Sequence, residues 1–244
     1  MHRLLGPEEI HVWTASLDGH AVPMTVLDEA ERHRAGGFAL ARPRADFIQG
    51  RTILRRILAS YLARDPASLG FSLGPHGKPA LADGENLRFN ASHSGACLVI
   101  AVRQDRCIGV DVERRREMAN AGAIARRFFT AREADQIEAL PPARQADGFR
   151  ALWTLKEAIV KAAGEPLAPH LNRLEATLDP HGRARFVAWH GMGRARQAWW
   201  VSPFCPTPGY SATLATRAAP RAATPAVTPA PSIVHFDNLS SLPG

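Results

Sequence analysis

Two carboxylates end an apolar run in the stretch CIGVDVE, residues 107–113. Because alternate residues of a strand point to the same face, Asp111 and Glu113 are predicted to lie side by side, about 7 Å apart along the chain. Mg²⁺ prefers carboxylate oxygens and is commonly shared with substrate phosphates, so the pair suits a hard cation. The motif alone leaves an alternative open, a solvated hairpin edge whose charges are neutralised by the arginines at 114–116.

A second charged group lies within LWTLKEAIVKAAG, residues 152–164, whose apolar residues recur at helical spacing. Lys156, Glu157 and Lys161 fall around the side of this predicted helix opposite the apolar stripe, together with Trp153. A glutamate between two lysines suits a site that holds both a cation and phosphates. The alternative is a surface helix with an i,i+4 ion pair from Glu157 to Lys161, which leaves Trp153 exposed unless something covers it.

A third polar group lies in FNASHSG, residues 89–95, at the end of a predicted strand. Ser92 followed by His93 suggests a hydrolase. The nucleophile-elbow pattern, however, requires glycine two residues before and after the serine, and Asn90 and Ser94 occupy those positions. A small polar turn can instead bind an anion through hydroxyl, imidazole and backbone N–H groups. A turn that is hydrogen-bonded only within itself is the alternative.

Few other motifs offer chemistry. The tripeptide GKP, residues 77–79, places Lys78 on a tight turn and is weak evidence by itself. The sequence contains no Walker loop and no GxGxxG, CxxC or HExxH motif.

The hydrophobic pattern of the first half predicts the elements that carry these groups. The prediction comprises a strand at 9–18, a helix at 42–62, two short extended pieces within 70–81, an extended segment from 87, and a hairpin over 97–113 with a polar turn at 103–106. Arg44 and Arg51 fall off the apolar stripe of the predicted helix.

The second half predicts helices followed by strands. The helices lie at 120–129, 130–140 and 143–165, and the strands at 172–179, 183–190, 197–203 and 209–216. Thr130 and Glu133 form a capping-box pattern at the start of the second helix. From Arg217 on, the chain is rich in alanine, proline and threonine, so residues 217–244 are predicted to be a disordered tail.

Composition narrows the class of protein. The chain has 244 residues, of which 45% are hydrophobic and 22% charged, as in ordinary globular proteins. Its formal charge of +7 favours acidic partners, whether nucleic acid, an anionic membrane, a phosphorylated molecule or an acidic protein. Three scattered cysteines argue against a disulfide framework, and the start lacks the apolar core of a signal peptide. No apolar run can span a bilayer, so the predicted location is the cytoplasm.

The motifs, taken in order, resemble the 4′-phosphopantetheinyl transferases, specifically the surfactin-type (Sfp-like) branch. The resemblance covers about residues 10–216. It rests on a G-[IV]-D-[IV]-E strand, then F-F-[ST]-x-x-E in RFFTAREAD, then W-x-x-K-E-x-x-x-K in WTLKEAIVK. It implies an α+β fold of two similar lobes related by a pseudo-twofold, with lobes at 1–106 and 107–216 and a cofactor cleft between them. The implied reaction moves the phosphopantetheine arm of coenzyme A to a carrier-protein serine and releases adenosine 3′,5′-bisphosphate.

The resemblance also implies catalytic and metal-binding roles. Asp111, Glu113 and Glu157 match the family's Mg²⁺ ligands, and the sequence does not exclude Mn²⁺. Glu157 also matches the residue proposed as base for the carrier serine, directly or through water. Lys161 matches a catalytic residue that meets the phosphates. Glu133 belongs to the F-F motif, but its capping-box position gives an equally good structural explanation.

Contacts with coenzyme A are implied in the same way. Lys156 and Lys161 match residues at the phosphates, and the region of the adenosine 3′-phosphate is matched by Lys78, Ser92 and His93. The loosest matches are the basic contacts of the first lobe, Arg44 and Arg51.

Expected partners are coenzyme A and an acidic carrier protein that docks on the helices around 120–140. The protein is expected to be a monomer that binds neither nucleic acid nor membrane. Two alternatives stay open: a Mg²⁺-dependent nuclease and a nucleic-acid-binding module built on the arginine-rich helix 42–62. A nuclease strand often carries an acid-x-Lys tripeptide, but here Glu113 is followed by two arginines.

Overall fold

A helix of 22 residues packs on an antiparallel sheet twice in this chain, once in each half. The computed structural model describes residues 4–18, 20, 22–191, 198–218 and 231–236. The helices are α1 (Glu29–Gly36), α2 (Ala41–Leu62), α3 (Ala121–Phe128), α4 (Ala131–Glu138) and α5 (Pro142–Ala163). The strands are β1 (Glu9–Ser16), β2 (Phe71–Leu73), β3 (Pro79–Leu81), β4 (Leu87–Ser94), β5 (Cys97–Gln104), β6 (Ile108–Arg114), β7 (Leu174–Leu178), β8 (Ala184–Trp189), β9 (Trp199–Phe204), β10 (Tyr210–Arg217) and β11 (Ser232–Phe236).

The first lobe is built on a sheet in which β5 lies between β1 and β4, antiparallel to both. Helix α2 covers one face of this sheet. Its apolar residues Ile53, Ile57 and Leu58 share a buried cluster with Trp13 and Ile100 of the strands. The short pair β2–β3 stands between α2 and β4 in the chain. These elements confirm the predicted helix at 42–62 and the extended pieces around it.

The second lobe repeats this plan with β10 between β6 and β9, antiparallel to both. Helix α5 covers the sheet, and its residues Leu152, Leu155 and Ile159 are buried in one cluster with Trp189 and Trp199. The short pair β7–β8 stands between α5 and β9. The three predicted helices and four predicted strands of this half are all present.

The two lobes share one order of elements. Each has a first strand, a short helix with a capping box, a 22-residue helix, a two-stranded pair and two last strands. In each sheet the last strand lies between the first and the penultimate one. Helix α3 is an addition to the second lobe. The predicted α+β fold of two similar lobes is confirmed.

The lobes meet through the sheet faces that the helices leave uncovered. Ile10 and Val12 of β1 belong to the same buried cluster as Val110 and Val112 of β6. Because neighbouring residues of a strand point to opposite faces, Asp111, which stands between the two valines of β6, points toward α5. The interface thereby fixes the orientation of β6.

The predicted hairpin over 97–113 is wrong. Strands β5 and β6 both form, but β6 pairs with β10 and belongs to a different sheet from β5. The chain turns at Asp105, whose φ of 58° is in the left-handed region that aspartate tolerates. A polar turn between two apolar runs is compatible with either a hairpin or a crossing between sheets, and here it is a crossing.

The predicted disordered tail over 217–244 is also wrong in part. Arg217 is the last residue of β10, and Ser232–Phe236 form β11, which pairs in parallel with β1. The ring of Phe236 stacks on Trp13 with centroids 4.4 Å apart, and this contact anchors the strand on the first lobe. The rest of the predicted tail, 219–230 and 237–244, lies outside the described residues.

Among the helices in the described ranges, none is long and apolar enough to cross a membrane.

Candidate active site

Gly109 allows α5 to approach β6 directly. A Cβ at this position would lie 2.0 Å from the carbonyl oxygen of Ala158 and 2.5 Å from the amide nitrogen of Ala162, so only glycine fits. Asp111 and Glu113 share the face of Gly109, because side chains alternate along a strand. The close approach therefore places both carboxylates beside the last turns of α5.

Lys161 of α5 lies between the acids. Its Nζ is 2.6 Å from Oδ1 of Asp111 and 3.9 Å from Oε2 of Glu157. The side chain of Asp111 is 5% exposed and that of Glu157 is 19% exposed, so both carboxylates are largely withdrawn from water. The structure thus brings Asp111, Glu157 and Lys161 together.

Glu157 is a weaker acid than an exposed glutamate, chiefly because it is buried. Burial raises the pKa of its carboxyl above the ordinary value, and the nearby charges of Asp111 and Glu113 raise it further. The ammonium of Lys161 opposes these effects. A carboxylate with a raised pKa is a stronger base, and a cation placed among the three acids would relieve their repulsion.

Side chains of β4 hold the open edge of β6. Polar residues at alternate positions of β4 face this edge, where β6 has no neighbouring strand in its own sheet. They accept three N–H groups: Val110 to Asn90 Oδ1 at 2.8 Å, Val112 to Ser92 Oγ at 3.4 Å, and Arg114 to Ser94 Oγ at 3.1 Å. We call these three contacts the β4 ladder. Because of the ladder, the acids of β6 lie on a strand fixed at both edges.

One carboxylate oxygen in the cluster lacks a partner. Ser92 and Lys161 both donate to Oδ1 of Asp111, whereas Oδ2 is buried and without a hydrogen-bond partner among the described residues. A buried oxygen without a donor is energetically unfavourable, so it is a natural ligand for a cation. In the described part of the chain, no three His, Cys, Asp or Glu side chains already have a metal-ligating arrangement. The ammonium of Lys161 is the cation that lies between the acids.

Lys156 is not at the phosphates, and the prediction that placed it there is wrong. Its side chain is fully buried, and its Nζ lies 2.8 Å from Oε2 of Glu133. The same Nζ donates to the carbonyl oxygens of Leu171 and Leu174. All the donors of this ammonium are therefore occupied inside the second lobe.

Glu133 has a structural position. Its carboxylate accepts the N–H of Thr130 at 2.9 Å, which completes the predicted capping box of α4. It also accepts the N–H of Ala176 at 2.8 Å and pairs with Lys156. The cap explanation of this residue therefore holds, and the carboxylate has no free oxygen to offer a substrate.

Lys78 links the lobes. It lies on the turn before β3, and its Nζ donates to the carbonyl oxygens of Ile108 at 3.0 Å and Ala162 at 3.1 Å. Burial lowers the pKa of its ammonium to about 8. Lys78 also lines a cavity of 510 Å³ between the lobes, together with His76, Arg88 and Glu165 among others.

The remaining predicted contacts are dispersed. Ser92 and His93 are neighbours on β4, so Ser92 faces Asp111 while His93 is exposed on the other side. The predicted polar turn is therefore part of the strand. Arg51 pairs with Glu31 of α1 and Arg44 is exposed on the first turn of α2, so neither stands with the acid cluster.

Glu113 borders a mainly apolar cavity of 460 Å³. Trp153 lines it and stacks on Phe149 with ring centroids 5.9 Å apart, so the tryptophan that looked misplaced on a polar helix face is covered by aromatic neighbours. Arg114 and Arg116 lie at the rim of the same cavity. One acid of the cluster, Glu113, thus borders an apolar groove whose lining includes basic residues.

Sequence reasoning missed the β4 ladder. Asn90 and Ser94 were noted only as departures from the nucleophile-elbow pattern. Their signal was the spacing of two between Asn90, Ser92 and Ser94, which places three polar side chains on one face of a strand.

The arrangement defines a class of site. Three acids and a lysine converge in a partly buried cleft beside a basic inter-lobe cavity, which suits chemistry at a phosphate group assisted by a cation.

Comparison with known proteins identifies the family. Residues 107–215 match the profile of the 4′-phosphopantetheinyl transferase superfamily, and residues 11–105 match the profile of the 4′-phosphopantetheinyl transferase N-terminal domain. The 4′-phosphopantetheinyl transferase HetI of Nostoc sp. is 36% identical over 180 residues, which are 71% of this chain and 76% of that protein.

Two further relatives support the same result. The 4′-phosphopantetheinyl transferase Sfp of Bacillus subtilis is 27% identical over 160 residues, 66% of this chain and 70% of that protein. The human L-aminoadipate-semialdehyde dehydrogenase-phosphopantetheinyl transferase is 29% identical over 179 residues, 69% of this chain and 58% of that protein. The chain belongs to the 4′-phosphopantetheinyl transferase family, which confirms the predicted enzyme class against the two nucleic-acid alternatives. The comparisons do not separate the surfactin-type branch from others.

Proposed function

We propose that this chain moves the 4′-phosphopantetheine arm of coenzyme A to a serine of an acidic carrier protein, with Mg²⁺ bound by Asp111, Glu113 and Glu157. The observation that carries the metal assignment is the buried, unpartnered Oδ2 of Asp111 beside two further acids. A dication would bind the free Oδ2 of Asp111, on the carboxylate whose Oδ1 the Lys161 ammonium contacts. Bound there, Mg²⁺ would polarise the pyrophosphate and stabilise the leaving phosphate.

The side chains of this cluster supply the rest of the chemistry. The serine oxygen forms a bond to the β-phosphorus, and the bond from that phosphorus to the oxygen of adenosine 3′,5′-bisphosphate breaks. Glu157 accepts the serine proton, directly or through a water. Lys161, which is 30% exposed and reaches over Asp111, neutralises charge on the phosphate oxygens.

The inter-lobe cavity is the proposed place for the nucleotide end of coenzyme A. Lys78, Arg88 and His76 give it basic character, and it begins where α5 ends, close to Lys161 in the chain. Lys78 stays the proposed contact of the adenosine 3′-phosphate. Such a phosphate would compete with the carbonyl oxygens of Ile108 and Ala162 for its ammonium. The predicted coenzyme A contacts of Ser92, His93, Arg44 and Arg51 stay predictions.

The carrier protein is proposed to approach the second lobe at the apolar groove beside Glu113. The groove is rimmed by Arg114 and Arg116, and α3 adds the exposed Phe128. A net charge of +7 would speed the encounter with an acidic partner.

The test replaces Asp111 by asparagine and by alanine. Transfer is measured as the mass gained by an apo-carrier protein incubated with coenzyme A and Mg²⁺. We expect both variants to lose more than about 10²-fold in rate while they stay folded, because the charge that holds the cation is gone. Asp83→Asn, which changes an exposed acid that pairs with Arg64 at 2.5 Å, is the matched control and should transfer normally. Normal turnover of Asp111→Asn would contradict the metal assignment.

A further inference from the structure

Ser92 of the β4 ladder makes two contacts with one short stretch of β6. Its Oγ accepts the N–H of Val112 at 3.4 Å and donates to Oδ1 of Asp111 at 2.9 Å. A serine hydroxyl has one proton to donate. Because that proton points at the carboxylate, the backbone contact and the carboxylate contact together leave the hydroxyl a single orientation.

Ser94 repeats this unit two residues further on. Its Oγ accepts the N–H of Arg114 at 3.1 Å and donates to Oε2 of Glu113 at 3.0 Å. In both units the serine binds an acid and the amide of the residue that follows the acid. The repeat arises because β4 and β6 run side by side with the same spacing of two between side chains on one face.

The geometry points to Ser94, together with Ser92, as positioning residues for the acid pair. Each serine hydrogen-bonds one carboxylate oxygen and one backbone N–H of β6. The second oxygen of each carboxylate is thereby held in a fixed direction. Hydrogen bonds of this kind to metal ligands orient them, and their loss weakens metal binding. The inference rests on the proposed function, because it assumes that the acids bind a cation.

Asn90, the first residue of the β4 ladder, distinguishes the positioning of acids from the simple attachment of one sheet to the other. Its Oδ1 accepts the N–H of Val110 at 2.8 Å, as the serines accept theirs. The residue before Val110, however, is Gly109, which has no carboxylate to orient. Asn90 therefore joins the sheets without touching an acid, and the chain contains its own control.

The experiment measures Mn²⁺ binding to the full chain in the presence of coenzyme A, from the electron paramagnetic resonance signal of free Mn²⁺. The variants are Ser94→Ala, Ser92→Ala, Ser94→Thr and Asn90→Ala, with Asp111→Asn as the reference for a lost ligand. Urea unfolding of each variant shows that it is folded and how stable it is. Mn²⁺ affinity reports on the acids themselves and does not require turnover.

We expect Ser94→Ala and Ser92→Ala to bind Mn²⁺ about 10-fold more weakly than the parent chain. Ser94→Thr keeps the hydroxyl and should restore most of the affinity. Asn90→Ala should be destabilised but should keep the parent's affinity. If Asn90→Ala does not fold, the difference between Ser94→Ala and Ser94→Thr decides by itself.

Two results would overturn the inference while leaving the metal site intact. Ser94→Ala and Ser92→Ala could bind Mn²⁺ as tightly as the parent, or Asn90→Ala could be weakened to the same extent as the serine variants. A parent chain that does not bind Mn²⁺, or binds it no better than Asp111→Asn, would overturn the proposed metal site and the serine inference together.

Discussion

Trp13 and Asp111 occupy the same place in the two lobes. Trp13 pairs with the fourth residue of β5 and Asp111 with the fourth residue of β10, the central strand of each sheet. By the same register, Ala15 corresponds to Glu113. One lobe therefore has apolar residues where the other has the acids of the candidate active site.

The two lobes differ in how the space between the first strand and the 22-residue helix is filled. In the first lobe, His11 and Trp13 both bond the hydroxyl of Tyr61 of α2, at 2.7 and 3.0 Å. These bulky side chains fill the gap between β1 and α2. In the second lobe, Gly109 stands at the position of His11 and brings α5 against β6. At this place the first lobe therefore has a packed core. The second lobe instead has a close contact between α5 and the strand that carries the acids.

A buried cation, in contrast, is common to both lobes. Arg55 and Lys156 are each the fifteenth residue of a 22-residue helix, and both side chains are fully buried. Arg55 pairs with Glu31 at 2.7 Å and Lys156 with Glu133 at 2.8 Å, and each glutamate belongs to the capping box of a short helix.

The backbone partners of these cations are duplicated too. Each cation also binds two carbonyl oxygens next to a short 3₁₀ turn, at Pro66 and Leu69 for Arg55 and at Leu171 and Leu174 for Lys156. The first lobe has the same buried cation but no acid cluster. We therefore infer that Lys156 is part of the structural framework of the second lobe. Chemistry was added to the second lobe at other positions.

The largest effect on stability is expected from removing the buried cation that both lobes share. Lys156→Met and Arg55→Met should each lower the free energy of unfolding by about 3–5 kcal/mol, because each leaves a buried carboxylate uncompensated. Urea unfolding measures the change, and Lys156→Met combined with Glu133→Gln should recover part of it, because the neutral amide needs no counterion and its oxygen can still accept a backbone N–H. A Lys156→Met variant with parental stability and only a raised KM for coenzyme A would restore the phosphate role and break the comparison.

A second effect is expected where the lobes differ, at the end of α5. Lys78 of the first lobe binds the carbonyl oxygen of Ala162 in the last turn of that helix. The pKa of its ammonium is lowered from the usual 10.5 to about 8 by burial, so between these values the unfolded chain binds more protons than the folded chain. The contribution of Lys78 to stability therefore rises with pH from 8 to 10.5, by at most about 3 kcal/mol.

Lys78→Met reveals this contribution by comparison with the parent. The difference in unfolding free energy, parent minus variant, should increase as the pH is raised from 8 to 10.5, and groups that titrate in both chains cancel. A difference that stays constant over this range would show that the ammonium is not buried between the lobes. Arg64→Met, an exposed cation in the same lobe, is the matched control and should give a constant difference.

Local patterns were sufficient for the two long helices and for most of the strands, although α1 and β11 were not predicted. The apolar periodicity of α2 and α5 and the capping box of Thr130 and Glu133 are local signals, and the structure has all of them. The residues of the acid cluster came from the resemblance of the motifs to a family. From helical periodicity alone, the charged face of α5 could equally be the exposed face of a surface helix.

The errors concern contacts that are remote in the sequence. The sheet that β6 joins is decided by β10, about a hundred residues later, and the polar turn at Asp105 contains no information about it. Lys156 lies on the polar side of α5 in a helical projection, yet Glu133 and the carbonyls at 171 and 174 enclose it. The strand β11 was overlooked because its short run SIVHF stands within a segment rich in alanine and proline.

The smallest effect sharpens the comparison of the two buried cations. Arg55 has four contacts, because its Nη2 also reaches Oδ2 of Asp28 at 2.6 Å, whereas Lys156 has three. Arg55→Lys would leave the first-lobe cation with the same kinds of acceptor as Lys156, one carboxylate and two carbonyl oxygens. We expect it to lower the unfolding free energy by about 2 kcal/mol, the value of one lost hydrogen bond to a charged group.

The comparison with Arg55→Met makes this test decisive. Arg55→Lys keeps a cation beside Glu31, so it should be distinctly more stable than Arg55→Met in urea, where the buried carboxylate has no counterion. Asp28→Asn in the parent chain removes the same extra contact from the other side and should cost a similar amount. If Arg55→Lys were as unstable as Arg55→Met, a lysine could not serve at this place in the first lobe. The two buried cations would then not be equivalent, because the first lobe would require the planar fork of arginine.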